Sequence, residues 1–354
     1  MAKLDKVFKA AADLNASDVH IAPGEPFIVR RLGRLRKLKS SAQTPETCKQ
    51  LIHELLDEKQ QNALAADAQL DFAYEVPELG RFRGSAMMHQ KGMSAAFRLI
   101  PPEIPTLETL EMPAVVQKVL NQHQGLILVT GGTGHGKTTT LAAMVDYLNT
   151  QRAHHILTIE DPIEFIHPFK KGVVNQRQIG KNTWAYANAL RGALRQDPDV
   201  IVVGELRDLE TISMAISAAE TGHLVIGTLS TSSAPKTVDR IIDSYPPKEQ
   251  NQIRAMLSES LRAVITQRLI AHTDQQQMAL ALEVLIGSTQ MANLIRDSKT
   301  FQIPSMMQTG KKLGMQLMDE SLLALYQSGQ ISAEDAKANA ANPDKMKTQV
   351  KEGK

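Results

Sequence analysis

The most constraining feature of the chain is Leu126–Thr130 running into Gly131-Gly132-Thr133-Gly134-His135-Gly136-Lys137-Thr138. An apolar strand meets GxxxxGK[ST], and helix-forming residues follow from Lys137. The glycines let the backbone turn tightly enough for its N–H groups to converge on phosphate oxygens. The helix start adds its positive dipole end. In this pattern Lys137 reaches the β- and γ-phosphates of a nucleotide, and Thr138 offers its hydroxyl to Mg²⁺. The nucleotide contacts are therefore expected from Gly131, Gly132, Thr133, Gly134, His135, Gly136, Lys137, Thr138 and Thr139. His135 occupies a variable position and is expected to face solvent.

A loop of this kind needs a sheet to carry it. Leu126–Thr130, Ile156–Ile159, Val200–Val203 and Leu224–Leu229 are near-continuous apolar runs separated by helical segments. That pattern marks a parallel sheet covered on both faces. After Tyr245-Pro246-Pro247 the chain reads as mostly helical, and the polar tail from Asn342 as disordered. The first hundred residues differ. Leu4, Val7, Phe8, Ala11 and Leu14 have helical spacing. Strands are expected at Val19–Ala22, Phe27–Arg31, Leu70–Val76, Arg81–His89 and Met93–Ile100, with a hairpin turn at Gly33 and a helix over Glu46–Ala65. Pro77-Glu78-Leu79-Gly80 and Gln90-Lys91-Gly92 are turn sequences. Pro101-Pro102-Glu103-Ile104-Pro105 cannot continue a helix or a central strand. The division is residues 1–100 as a small α+β domain, 101–105 as linker, 106–341 as an α/β domain with C-terminal helices, and 342–354 as tail.

Composition narrows the function. Forty basic and 38 acidic residues nearly balance, and aromatics are 4% of 354 residues. Neither a charged groove nor a base-stacking platform for nucleic acid is supported. Arg30, Arg31, Arg34, Arg36, Lys37 and Lys39 form a basic run without interleaved aromatics, so a solvated surface or subunit contact is expected there. One cysteine, Cys48, excludes an internal disulfide and any multi-cysteine zinc site. His20, His154 and His155 lack metal-ligand spacing. No apolar run is long enough to span a bilayer.

Hydrolysis needs a metal-holding acid and a group that activates water. Asp199-Val200-Ile201-Val202-Val203-Gly204-Glu205 is an apolar strand ending in an acid. Glu205 at that edge either approaches the Mg²⁺ shell or pairs with Arg207. Thr158-Ile159-Glu160-Asp161-Pro162-Ile163-Glu164 also follows an apolar strand. Its carboxylates repel one another unless a metal or a basic group compensates.

Four ordered segments resemble one family, the hexameric secretion ATPases, and within it the type IV pilus retraction (twitching-motility, PilT-type) ATPases. GGTGHGKTTT at Gly131–Thr140 and TIEDPIEF at Thr158–Phe165 look like its Walker A and Asp boxes. LRQDPDVIVVGELRD at Leu194–Asp208 and AETGHLVIGTLS at Ala219–Ser230 look like its Walker B and His boxes. SDVH near the N-terminus, GRFR at Gly80–Arg83, MLSESL at Met256–Leu261 and ANLIRD at Ala292–Asp297 extend the likeness over nearly the whole chain.

The resemblance implies a PAS-like N-terminal α+β domain and a RecA-like P-loop ATPase domain. It implies Glu164 as the general base, with Glu160 the next candidate, and Glu205 holding Mg²⁺ through water beside Thr138. It implies His223 near the γ-phosphate, and arginines Arg81, Arg83 and Arg98 completing the site. Arg191 and Arg195 are further phosphate or intersubunit candidates. ANLIRD, with Leu294, Ile295 and Arg296, is a mark of retraction rather than extension ATPases. The implied protein is an ATP- and Mg²⁺-dependent homohexamer in the cytoplasm, peripheral at the inner membrane. It would act on a pilus platform protein and possibly meet a paralogous retraction ATPase. The single cysteine leaves no room for the paired-CxxC zinc element of extension and type II secretion ATPases. The chain departs from the family at Ser230, where a second histidine is usual, at Gly132, usually Pro, and at His135, often Ser. Ser230 keeps open a regulatory, weakly hydrolysing subunit. A nucleic-acid translocase on the same core is opposed by the composition.

Overall fold

A computed structural model describes residues 2–77, 79–274 and 276–350. Glu78 of the expected turn, and the last four residues of the expected tail, lie outside them. The chain divides into two compact units. One comprises Met1–Ile104 and Pro162–Ile166; the other comprises Pro105–Asp161 and His167–Lys354. The boundary at Ile104–Pro105 falls inside the proline-rich segment.

The first unit is built on six antiparallel strands: β1 (Asp18–Ile21), β2 (Ile28–Arg31), β3 (Arg34–Lys37), β4 (Gln69–Val76), β5 (Gly80–His89) and β6 (Gly92–Ile100). Their order is β3-β2-β1-β6-β5-β4. Leu32 and Gly33 both take positive φ, 49° and 77°, as a two-residue hairpin loop requires. The helix Asp5–Asp13 buries Phe8 and Ala11. Phe8 stacks on Phe82 at 4.3 Å between ring centroids and meets Phe97 edge-on at 5.0 Å.

The helix expected over Glu46–Ala65 is two helices, Pro45–His53 and Glu58–Asp67. Asp57 accepts the Gln60 N–H while the Gln60 side chain accepts the Asp57 N–H. This capping box starts a new helix, and the break lets Leu55 and Leu56 turn inward.

The second unit carries β7 (Gly125–Thr130), β8 (His155–Glu160), β9 (Val173–Gln178), β10 (Val200–Val203), β11 (Leu224–Leu229), β12 (Leu261–Ala271) and β13 (Met278–Ile286). Their order is β13-β12-β7-β11-β10-β8-β9. The four expected core strands are present, and all pairings are parallel except β12 with β13. The region after Pro247 is mostly helical as expected, with the hairpin β12–β13 as an addition that the sequence reading did not anticipate. β13 is a nearly continuous apolar run, and β12 an apolar run broken by Arg262 and Thr266–Arg268, so periodicity does not separate either from a buried helix. The tail is also corrected. Asn342 caps a helix, Pro343–Gln349, which buries Met346. Met346 and the following Val350 anchor an otherwise polar segment.

Phe8→Ala removes the ring on which Phe82 and Phe97 pack. It is expected to destabilise the first unit by about 3–5 kcal/mol. Faster amide hydrogen exchange in β5 and β6, with β7 and β11 unchanged, is the measurement that checks this.

Candidate nucleotide site

The phosphate loop joins β7 to the helix Lys137–Gln151. Gly131 has φ 144°, and a Cβ there would lie 2.5 Å from the Gln267 carbonyl oxygen on β12. Gly136, at the helix N-cap, sits in the left-handed region at φ 81°. Both positions exclude a side chain, one by contact and one by conformation. The Lys137 ammonium donates to the Gly131 and Gly132 carbonyls at 2.8 and 3.0 Å. It is held inside its own loop, and burial lowers its pKa, opposed by the nearby Glu205 carboxylate.

His135 does not face solvent as expected. It is half-buried, and its Nδ1 accepts the Leu269 N–H at 2.9 Å. Its carbonyl accepts from the Gln267 side chain at 2.5 Å. Burial, Arg268 and Lys137 lower its pKa, so the ring is neutral. His135 therefore anchors the loop to β12.

Glu205 follows β10 at the same end of the sheet. The Arg207 guanidinium donates to it at 2.6 Å, and the Ser230 hydroxyl at 3.3 Å. The Thr228 hydroxyl fixes the turn by donating to the Gly204 carbonyl at 2.5 Å. Glu160, ending β8, accepts from Thr158 at 2.6 Å and Gln176 at 3.0 Å. Tyr186 was not singled out by any sequence pattern. Burial raises its phenol pKa, and Asp161, Glu205 and Glu160 raise it further against Arg207. Thr138 and Glu205 offer hydroxyl and carboxylate oxygen, the hard donors that suit Mg²⁺. Among the described residues, no cluster of three or more His, Cys, Asp or Glu forms a metal cage of its own.

Three expected site residues are placed elsewhere. His223 precedes β11, whose residue Leu224 pairs with Gly125 while Leu229 pairs with Thr130. Six strand steps separate it from the phosphate-loop end, about 20 Å at the usual rise. Its ring contacts the Ala218 carbonyl at 3.2 Å. Within the chain it cannot meet the γ-phosphate; the residue of the His box at the correct end is Ser230. Arg191 pairs with Glu210 at 2.6 Å on the surface. Arg195 is exposed in the segment that leads into the start of β10.

The segment 162–166 belongs to the first unit, and Glu164 is buried there. Arg83 donates to its carboxylate at 3.3 Å. Burial pushes the Glu164 carboxyl up, against the pull of Arg83 and Arg98. Arg81 donates to the Ile163 carbonyl at 3.1 Å and pairs with Glu75 at 3.1 Å. Arg98 is held by Asp18 at 3.0 Å. Arg30, Asp18, Arg98 and Arg83 are successive partners across β2, β1, β6 and β5. Cross-strand partners share a face, so three guanidiniums and one carboxylate form a basic row. This row brings Arg83 and Arg98, two of the expected arginines, together with Glu164.

The model of the family described as "Type II/IV secretion system protein" matches residues 1–351. The type IV pilus retraction ATPase PilT of Pseudomonas aeruginosa is 47% identical over 94% of this chain and 97% of its own length. The chain belongs to this family, among the pilus retraction ATPases. A twitching motility protein of Neisseria gonorrhoeae is 46% identical over 90% of this chain and 85% of its own. A crystal structure of the pilus retraction motor PilT with bound ADP superposes at a TM-score of 0.85, with 43% identity over 98% of both chains. The chain is a P-loop ATPase with a nucleotide-binding site.

Two of the segments that carry the resemblance, ANLIRD and MLSESL, meet in the second unit. The helix Thr289–Arg296 buries Ile295, half-buries Leu294 and exposes Arg296. Arg296 donates to Ser258 of the MLSESL segment at 3.3 Å. No helix among the described residues is long and apolar enough to cross a membrane.

Lys137→Ala removes the one ammonium directed into the loop. Nucleotide affinity is expected to fall at least about tenfold, the loss of charge-assisted hydrogen bonds. Equilibrium titration with a fluorescent ADP analogue measures it.

Proposed function

We propose that this chain is the subunit of a homohexameric ATP-driven motor for type IV pilus retraction. It works in the cytoplasm, peripheral at the inner membrane, and acts on a platform protein at the pilus base. The observation that carries this reading is the gathering of the phosphate loop, Glu205 and Ser230 at one end of a parallel sheet. That end lies in a chain related to retraction ATPases over nearly all its length.

Each residue has a separable task. Loop amides and Lys137 hold the phosphates. Thr138 and Glu205 hold Mg²⁺, which neutralises phosphate charge. Glu164 takes the proton of the attacking water. Its buried carboxyl is a stronger base than an exposed one, and Arg83 pulls against the rise that burial causes. Arg81, Arg83 and Arg98 supply positive charge for the phosphoryl oxygens. Closure of a ring follows when a head-to-tail contact repeats at a closing angle.

Ser230 gives a second reading, a regulatory subunit with weak turnover. The Ser230–Glu205 hydrogen bond favours the active motor, because serine keeps the polar contact at this position.

Glu164→Gln is expected to leave nucleotide binding intact and to lower turnover by ~10²-fold or more. Turnover should rise with pH as Glu164 ionises, through a pKa above the ordinary carboxylate range. Arg83→Gln removes the strongest opposing charge, so the acid limb should move to higher pH. A pH–rate profile in which this limb stays in place for the Arg83→Gln variant would contradict the assignment.

Ser230→His should change turnover by less than about tenfold, or ~1.4 kcal/mol of barrier. A steady-state ATPase assay separates the readings. A parent ring that binds ATP without hydrolysing it, and gains activity from the histidine, establishes the regulatory subunit instead.

A further inference from the structure

A cavity of about 300 Å³ in the second unit lies against the phosphate loop, lined in part by Gly131, Gly132, His135, Ser232, Gln267 and Arg268. Lys137, Thr138 and Glu205 are not in its lining. It therefore lies on the β12 side of the loop, sharing Gly131, Gly132 and His135 with the phosphate loop but not Lys137, Thr138 or Glu205.

Its polar groups make an uneven set. Arg268 gives one N–H to the Asn339 carbonyl. Among the described residues no carboxylate lies within ion-pair distance of it, and Glu283 acts on it only at longer range. Its guanidinium therefore has no direct counter-ion. His135 accepts the Leu269 N–H at Nδ1, which leaves the proton of the neutral ring on Nε2 as a second donor. The Ser232 hydroxyl is a third. Against these stands one acceptor. Gln267 is 1% exposed, and its Nε2 is committed to the His135 carbonyl, which fixes the orientation of the amide. Its Oε1 is buried and accepts no hydrogen bond. A buried acceptor left this way costs free energy that a ligand donor would recover.

The geometry points to a holding site for the inorganic phosphate that ATP hydrolysis releases. Near neutral pH that product is an oxyanion that still carries at least one O–H. The O–H donates to Gln267 Oε1, and Arg268, His135 Nε2 and Ser232 donate to the remaining oxygens. Sulfate has the same shape and no O–H, so it leaves Gln267 unsatisfied. A neutral ligand leaves the guanidinium unpaired. Gly131 and Gly132 form a wall common to the cavity and the phosphate loop. The product then pauses beside the loop before it reaches solvent. This inference rests on the ATPase reading for the origin of the phosphate, though binding itself does not require turnover.

Two measurements on the full chain test it. In the first, inorganic phosphate and sulfate are titrated separately into nucleotide-free protein by calorimetry. Saturable phosphate binding at least about fivefold tighter than sulfate is expected, the cost of one unsatisfied buried acceptor. Arg268→Gln should weaken it about tenfold, and Arg268→Lys should retain most of it. In the second, a single turnover of ATP is followed by acid quench for cleavage and by a phosphate-trapping probe for release. The parent should show a lag between the two, and Arg268→Gln should shorten it. Equal affinity for the two anions, no saturable phosphate binding, or an unchanged lag in a folded Arg268→Gln chain overturns the site. Failure of the parent to cleave ATP counts against the ATPase reading instead. The titration then still decides whether the cavity holds phosphate.

Discussion

The pairing of β12 with β7 holds the phosphate loop in place. Thr130, the last residue of β7, meets Thr266 of β12 through their hydroxyls at 2.8 Å, and both are fully buried. One residue further on, the Gln267 carbonyl stands where any side chain at position 131 would have to go. Two residues beyond that, the Leu269 N–H holds the His135 ring. The loop's shape therefore depends on a strand more than a hundred residues downstream. A GxxxxGK[ST] segment supplies the conformational freedom for a phosphate cradle, and β12 removes that freedom at the right geometry. The low entropy of the loop before nucleotide arrives lets its amides bind phosphate without first being ordered.

The same polar line continues past β12. Thr266 pairs in register with Glu283 of β13. Glu283 is buried, and its carboxylate accepts the Ala234 N–H at 2.7 Å and the Met318 N–H. Each of these N–H groups opens a helix, so the carboxylate sits at two positive dipole ends. Burial raises its pKa, and the two N–H donors work against that. Ala234 follows directly on the Ser230–Ser233 turn, whose first residue touches Glu205. A line of hydrogen bonds and strand pairing thus runs from the base of the phosphate loop, through two strands, to the turn beside Glu205. Motion of that turn has to repack a buried charge, which favours two discrete arrangements over a continuous range.

Strands with a distinct apolar pattern were legible in the sequence, and so were boxes with a fixed chemical job. The parallel core strands and the phosphate loop come from local patterns that tertiary contacts only reinforce. β12 and β13 were not legible, because the apolar run of β13 matches that of a buried helix and the polar residues within β12 leave it no clean strand pattern. The break at Asp57 is a capping signal spread over four residues inside an otherwise helical stretch. His223 and Ser230 show another limit. Both belong to one sequence box, yet the strand between them carries them to opposite ends of the sheet. Only strand direction separates them, and it depends on the order of the whole sheet. His135 was misplaced for a similar reason, since its partner Leu269 is remote in sequence. Tyr186 and Gln267 carry no motif, and only packing brings them to the site.

Glu164 shows what the site costs the fold. A buried carboxyl whose pKa is raised prefers its neutral form, and the unfolded chain has no such preference. Above the unfolded pKa the folded state must therefore hold a charge that burial penalises. Its contribution to stability is largest at low pH and declines as pH rises through the folded pKa. In the proposed role of Glu164 as general base, the same desolvation that weakens the fold would strengthen the proton acceptor. Arg83 and Arg98 set the balance by recovering part of that penalty. They can do so because they belong to a basic row in which Asp18 already neutralises Arg98 and lies 3.8 Å from Arg30. Were Asp18 absent, adjacent arginines would repel across the strands and the row would splay. The aspartate of the N-terminal SDVH segment is thus a support for the arginine row beside Glu164, reached by counting register across three strands.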